Sequence, residues 1–413
     1  FICAGVAGLL GLASKQIVAT LPIVLLLYEW FFFQDLDTDR IKKQIKWIAG
    51  VVFLLGFFSL IYLGDSPVDK ILNGYAKRDF TLVERLLTQP RVILFYISLI
   101  FFPPPTRLNL DHDFSLSQGL LSPSTTALAI VAIIILILGS LRAARRHRLA
   151  AFAVFWFFVN LVLESSFIGL ELIFEHRTYL PSVFPVVAAC AILLKYIKPR
   201  PIALLLLGVI LCFYGHWTIQ RNTVWKNELV LWEDCVAKSP NKPRVYNNFG
   251  LALQNKGDIQ KARQYYLQSL QLNPDYAEPY GNLGFAELAS GNPEKALPYL
   301  LKAIQLKPNN PANIHNNLAA AYSRLKQPDK AIRHCQIALS LNPGYIKAKN
   351  TLGVIYMQQN RLQQAAEIFS DVLKKRPQSY EANMNMGLIK KKQRQPDSAV
   401  PFFKSATQLT DNP

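Results

Sequence analysis

The sequence is short of acidic residues and of cysteine, and it carries no glycine loop of the kind that cradles phosphate. Asp and Glu number 27 against 45 Lys and Arg, giving a formal net charge of +18. Cys3, Cys190, Cys212, Cys235 and Cys335 lie too far apart to form a metal-ligand spacing or a disulfide framework. No Walker-type loop, dinucleotide-binding Gly-x-Gly-x-x-Gly turn or Gly-x-Ser-x-Gly elbow occurs, which removes the enzymes built on those motifs. Any sugar or phosphate donor is therefore expected to be lipid-borne and to arrive through the bilayer.

What the sequence does contain changes character near residue 220. Upstream, apolar runs long enough to cross a bilayer fall at 17–33, 46–64, 125–141, 149–166, 179–196 and 201–219, after the tail of another at 1–12. Residue 1 is Phe, inside that first run, so the native protein is expected to extend further upstream. These runs predict a polytopic bundle of about seven spans over 1–219. Arg142, Arg145, Arg146 and Arg148 predict one cytoplasmic loop, and Lys195, Lys198 and Arg200 a second. Residues 166–178 and everything after 220 then fall outside, on the periplasmic face of a bacterial inner membrane. The run 91–104 is short for a span. If the basic loop at 34–46 is cytoplasmic, 91–104 dips in and returns; if 91–104 crosses, that loop is external. The re-entrant count is preferred.

Downstream, Pro240, Pro274, Pro308, Pro343 and Pro377 recur every 34 or 35 residues. Gly250, Gly284, Ala319, Gly353 and Gly387 keep the same register, as do Ala262, Ala296, Ala331, Ala365 and Ala399. Tyr266, Leu300, Cys335, Phe369 and Phe403 follow four residues after those alanines. A small residue where two helices cross, a large one in the groove and a proline after the second helix are the tetratricopeptide (TPR) pattern. Five repeats span 243–413, after a junction and capping half-repeat at 220–242 with Trp232 in the aromatic slot. The last repeat reaches the final residue without a polar cap, so the chain is expected to continue beyond it. The predicted fold class is all-α, a membrane bundle followed by a TPR solenoid. The surplus of 26 Lys and Arg over 14 Asp and Glu after residue 219 is scattered over repeat surfaces. It predicts a solvated face and no nucleic-acid track.

Ionisable residues beside apolar spans are where chemistry is expected, because each is costly there. Glu171, Glu175, His176 and Arg177 precede Tyr179-Leu-Pro-Ser at the external mouth of a span, with Glu164 one turn deeper in the preceding one. The same residues also suit an interfacial belt with an internal Glu–Arg pair. Lys15 lies between two apolar runs, as an anchoring lysine would, and Asp111-His112-Asp113 follows three prolines. No metal site is assigned to that triplet, and a need for a divalent metal stays open. In the array, Asn248, Asn282, Asn317 and Asn385 occupy the sixth position of their repeats, with Thr351 in the fourth. There an amide row offers donors and acceptors to an extended peptide; asparagine at this position also serves helix packing.

Several stretches carry a resemblance across nearly the whole chain. They are Ser14-Lys15-Gln16 before a run ending Tyr28-Glu29, Tyr96 to Pro103 with its Asp-containing loop, and Glu175-His176-Arg177-Thr178-Tyr179-Leu180-Pro181-Ser182. The fourth is Arg221-Asn222-x-x-Trp225-Lys226-Asn227-Glu228, leading into the repeats. Together they are similar to the transmembrane-and-TPR O-mannosyltransferase-like proteins and their bacterial relatives, glycosyltransferases of the GT-C type. The resemblance implies inverting transfer of a sugar from a polyprenyl-phosphate carrier to an acceptor on the external face. It places the general base in a first external loop, upstream of residue 1. Arg177 is then expected to neutralise the departing lipid phosphate, Glu175 to hold Arg177, and Tyr179 to add a hydrogen bond. Lys15, His176, Asp111 and Asp113 would bind substrate, and the repeats would hold the protein or peptide acceptor. A membrane-anchored TPR scaffold for envelope assembly and a lipid-linked polysaccharide ligase or polymerase are the competing readings.

Overall fold

The computed structural model describes residues 16–40, 66–75 and 78–408, with isolated positions between 42 and 53. Lys15 and the apolar runs expected at 1–12 and 46–64 lie outside the described residues. The chain divides into two compact units, one ending at Lys226 and the other beginning at Asn227.

In the first unit the described helices are α1 (Leu21–Phe32), α2 (Pro67–Asn73), α3 (Leu82–Phe101) and α4 (Thr125–Ala143). They are followed by α5 (Arg148–Leu161), α6 (Tyr179–Tyr196) and α7 (Arg200–Val224). Three stretches, Thr125–Ala143, Glu175–Tyr196 and Arg200–Val224, are long and apolar enough to cross a membrane; Val18–Phe32 and Arg148–Leu161 are apolar but shorter. The run expected to span 149–166 is thus helical only to Leu161. Glu164 sits in the turn beyond the helix, where its carboxylate meets arginine, and not a turn deep within a span.

The structure redraws 91–104. Its helix starts nine residues earlier than Arg91, because Thr81 and Glu84 form a reciprocal capping box at the N-terminus. At Phe102–Pro105 the chain reverses and returns along the helix it has left. Arg107 Nη2 donates to Ser98 Oγ at 2.5 Å, Arg91 Nη1 to the Ser115 carbonyl at 2.8 Å, and the Ser117 amide to Thr88 Oγ1 at 2.8 Å. An outgoing helix and an extended return leave both ends of 82–117 near one another. At the opposite end of α5, Arg148 pairs with Asp35, and Phe31, Leu36, Ala144, Ala151 and Phe152 form a core. The turn after α1 and the arginine-rich 142–148 turn therefore lie together.

The second unit opens with α8 (Glu228–Lys238), which packs Trp232 against Phe249, Leu253 and Tyr266. Trp225 belongs to the end of the first unit, with the Arg221 guanidinium 5.7 Å from its ring. Five helix pairs follow: α9 and α10 (Pro243–Asn255, Ile259–Leu272), α11 and α12 (Ala277–Ala289, Pro293–Gln305), α13 and α14 (Pro311–Arg324, Pro328–Leu341), α15 and α16 (Ile346–Gln358, Leu362–Lys375), and α17 and α18 (Tyr380–Lys392, Pro396–Gln408). The small-residue rule has a visible cause. A Cβ on Gly250 would meet Tyr266 at 2.7 Å, and on Gly353 or Gly387 would meet Phe369 or Phe403 at 2.6 Å. The third repeat tolerates Ala319 because its partner is the smaller Cys335; both are fully buried.

The fourth and twenty-third positions face each other in the first three helix pairs. Tyr246 stacks on Tyr265 at 6.4 Å and Tyr280 lies against Tyr299 at 6.5 Å. In the third repeat the slot holds His315 and His334, whose Nδ1 atoms are 3.0 Å apart. Burial, the neighbouring His315 and Arg333 push His334 down from its ordinary 6.5 to about 4, and burial lowers His315 as well. The unfolded chain takes up these protons near pH 6.5 while the folded array refuses them. Stability is therefore expected to fall as pH drops below about 6.5, the loss from His334 levelling off below about 4. Urea midpoints of wild type and His334→Tyr between pH 7 and 4.5 check this, the tyrosine variant showing the flatter profile.

Candidate functional site

The return segment 102–117 and the 164–178 segment meet in one cluster of ionisable groups in the first unit. Glu175, at the start of the short 3-10 turn ahead of α6, accepts from the Asn109 amide at 2.5 Å and contacts His112 Nε2 at 3.0 Å. Arg177 is buried. Its Nε pairs with Glu164 Oε2 at 2.7 Å, its Nη1 donates to the Glu171 carbonyl at 2.6 Å, and its guanidinium lies 5.0 Å from the Phe174 ring. The Tyr96 hydroxyl, itself bonded to Arg177, accepts from the Phe174 amide at 2.9 Å.

The partner expected for Arg177 is thus corrected. Glu164 holds it, and Glu175 turns instead to the returning loop. Sequence spacing suggested the neighbour two residues away, whereas the 3-10 turn sends the two side chains apart. Tyr179 is 83% exposed, and His176 is exposed while stacked on Phe174 with centroids 5.1 Å apart. Asp111 is buried and Asp113 exposed. His176, Tyr179 and Asp113 therefore face solvent, whereas Arg177 does not.

Beneath this face lies an arginine framework that the sequence did not single out. Arg85, fully buried, donates from Nε to the Ser166 carbonyl at 2.9 Å and from Nη2 to the Glu164 carbonyl at 2.6 Å. Its Nη1 reaches the Leu170 carbonyl and, at 3.3 Å, that of Glu171. Arg78 pairs with the Glu171 carboxylate, and the Tyr75 hydroxyl donates to the Phe167 carbonyl at 2.6 Å. The available signal was the capping box: it starts the helix early enough to bring Arg85 inside. An apolar groove of about 420 Å³ is lined by the end of α3, by α6 and by α7, with Ile100, Phe102, Val186, Cys190, Tyr214 and Trp217 among its residues.

In the second unit the expected asparagines share a face of the array. Asn282 Nδ2 donates to Asn247 Oδ1 at 2.9 Å, and Asn247 Nδ2 to Asn248 Oδ1 at 3.2 Å. Part of the row is thereby joined from repeat to repeat, which supplies a packing role for these amides. Asn317 is buried and Asn385 half-buried.

Tetratricopeptide-repeat family models match residues 242–309, 312–345 and 350–413. Protein O-mannosyl-transferase TMTC3 of Mus musculus is 28% identical over 221 residues, 50% of this chain and 20% of that protein. The Homo sapiens counterpart is 22% identical over 221 residues, also 50% of this chain and 20% of that protein. Tmtc3 of Drosophila melanogaster is 26% identical over 172 residues, 38% of this chain and 18% of that protein. The chain spans about a fifth of the length of these relatives. Among solved structures, MamA (26% identity, TM-score 0.34) covers 40% of this chain with 91% of its own. YrrB, described as a TPR protein with an unusual peptide-binding site, is 20% identical with TM-score 0.34, covering 44% and 93%. This chain therefore carries TPR repeats in its C-terminal half and a partial similarity to O-mannosyltransferases.

Proposed function

We propose that the chain is part of a membrane glycosyltransferase that moves a sugar from a polyprenyl-phosphate donor to an acceptor on the external face, its TPR array holding a protein or peptide acceptor. The observation carrying this reading is the convergence of 102–117 and 164–178 on one ionisable cluster, joined through Glu175 to Asn109 and His112 and flanked by helices apolar enough to enter a bilayer. The partial similarity to O-mannosyltransferases supports it. Such a transfer needs a base to take the acceptor's proton and fixed positive charge near the departing phosphate. His176 and Tyr179 form the exposed edge at which a phosphate would sit. Arg177 supplies charge from behind, in a partly dry setting where it acts more strongly. The apolar groove lined by α3, α6 and α7 suits the polyprenyl tail.

Purified native-length protein offered a polyprenyl-phosphate mannose and a peptide acceptor is expected to release polyprenyl phosphate and glycosylate the peptide. No transfer under conditions where the folded protein binds peptide would leave the scaffold reading. That second reading draws on Arg85 and Arg177, whose donors already hold backbone carbonyls. The site must also face outward with the array. Reporter fusions at Arg145 and after Asn241 are expected to report opposite sides of the membrane, since arginine-rich short loops resist translocation. The same side for both would end the external-face mechanism.

A further inference from the structure

α4 is the most apolar of the three helices long enough to cross a membrane, and one of its faces runs into a cluster of arginines. Thr126, Ala129, Ser140 and, just past the helix, Ala144 are buried and mark the side that packs on the rest of the unit. Leu128, Val131, Ile135 and Leu138 are 66%, 52%, 64% and 59% exposed. Their spacing of three and four residues keeps them on one stripe, and the same spacing continues to Arg142 and Arg145. Arg146, four residues beyond Arg142, joins them, because the turn past Ala143 keeps a helical bond from the His147 amide to the Ala143 carbonyl. From Leu128 to Leu138 the stripe rises about 15 Å. That is about the depth of one leaflet in a hydrocarbon core of about 30 Å.

The arginines at the end of the stripe are open to a ligand. Acidic residues of the neighbouring turn after α1 are already engaged: Asp35 pairs with Arg148, Asp37 with Arg40 and Asp39 with Lys42. Among the described residues no carboxylate meets Arg142, Arg145 or Arg146, and all three are exposed. One exposed arginine is ordinary. Three of them, in register with an uncovered apolar stripe about as long as an acyl chain, match the headgroup and the tail of a phospholipid in the right order.

We infer that this face of α4 holds an anionic phospholipid, with an acyl chain along Leu128 to Leu138 and the phosphate on Arg142, Arg145 and Arg146. Guanidinium groups bind phosphate oxygens through paired donors and stay charged. A zwitterionic lipid brings its own cation to the headgroup and gains less from them. Sugar transfer is not required for this contact, which needs only that α4 lie in a bilayer.

The test uses the full chain, delipidated in detergent micelles and titrated with defined lipids, with bound lipid followed by native mass spectrometry. Dioleoylphosphatidylglycerol is expected to bind at least about tenfold more tightly than dioleoylphosphatidylcholine. Arg142→Gln and Arg145→Gln should each weaken binding of the glycerol lipid about fivefold. Lys256→Gln, which removes an exposed charge from the repeats, should leave it unchanged. Each single change keeps the other arginines of the turn, and circular dichroism checks that the helices persist. Should either variant fail to fold, wild type still decides, because raised salt should narrow its preference for the anionic lipid. Dihexanoylphosphatidylglycerol, whose chains are too short to follow the stripe, should bind at least about tenfold more weakly than the dioleoyl lipid. Inorganic phosphate at millimolar concentration should not displace the lipid. Equal affinity for the two headgroups or the two chain lengths, an equal loss in Lys256→Gln, a preference indifferent to salt, or displacement by inorganic phosphate would overturn the inference. Displacement by polyglutamate would overturn it too, and would make the turn a docking point for acidic protein.

Discussion

Arg85→Ala is expected to destabilise the membrane unit by about 3–5 kcal/mol, the scale of stranding buried polar groups. Arg85 is fully buried and serves the carbonyls of Glu164, Ser166, Leu170 and Glu171, which lie on one short segment. Its removal leaves the Glu164, Ser166 and Leu170 carbonyls without that donor, while Glu171 keeps Arg177, at roughly 1–3 kcal/mol for each that finds no replacement. Water entering the vacated volume would recover part of this, so the total stays below the sum. Arg85→Lys should recover little, because one ammonium cannot reproduce a planar fork that reaches several carbonyls at once. Arg91, whose guanidinium bonds Ser115 near the surface, provides the comparison: Arg91→Ala should cost about 1 kcal/mol or less. Denaturant unfolding in detergent, followed by tryptophan fluorescence, separates these outcomes. Near-wild-type stability of Arg85→Ala would mean that the segment 164–171 is held from elsewhere.

The array was legible because each repeat restates the same packing rule. Gly250 and Tyr266, or Gly353 and Phe369, are readable as pairs at fixed spacing, and the contacts bear that spacing out. The third repeat keeps the rule by a matched change, Ala319 with Cys335. Apolar runs announced α1 and α4 to α7 by the same economy, since hydropathy is a local property, but gave no sign of α2 or of the start of α3. The cluster was legible as a concentration of charge but not as a set of partners. Arg177 with Glu164, Glu175 with His112 and Arg85 with 164–171 are pairings across the fold, and local periodicity does not encode which of several glutamates an arginine meets.

Arg177→Ala is expected to lower transfer from a polyprenyl-phosphate sugar by about 3–4 kcal/mol of transition-state stabilisation, roughly two to three powers of ten in rate. The argument is electrostatic. On the proposed reading, charge develops on a leaving phosphate beside His176 and Tyr179, and the buried Arg177, which lies against Phe174 as His176 does, is the fixed cation nearby. Arg177→Lys should recover only part, because an ammonium cannot hold the Glu164 carboxylate and the Glu171 carbonyl in the present geometry. Glu175→Gln should hurt less than Arg177→Ala. Glutamine keeps an oxygen that can accept from the Asn109 amide, and Glu175 does not touch Arg177. Glu164→Gln is the change that leaves Arg177 charged but loosely held, so its loss should fall between the two. A purely structural cluster gives the reverse pattern: Arg177→Ala and Glu164→Gln would lower yield and melting temperature, and the protein that folds would transfer at the wild-type rate. The deciding measurement is turnover per folded molecule, at saturating donor and acceptor, across all four variants. Wild-type turnover in Arg177→Ala would remove this residue from the chemistry and leave it as the brace between 164 and 174.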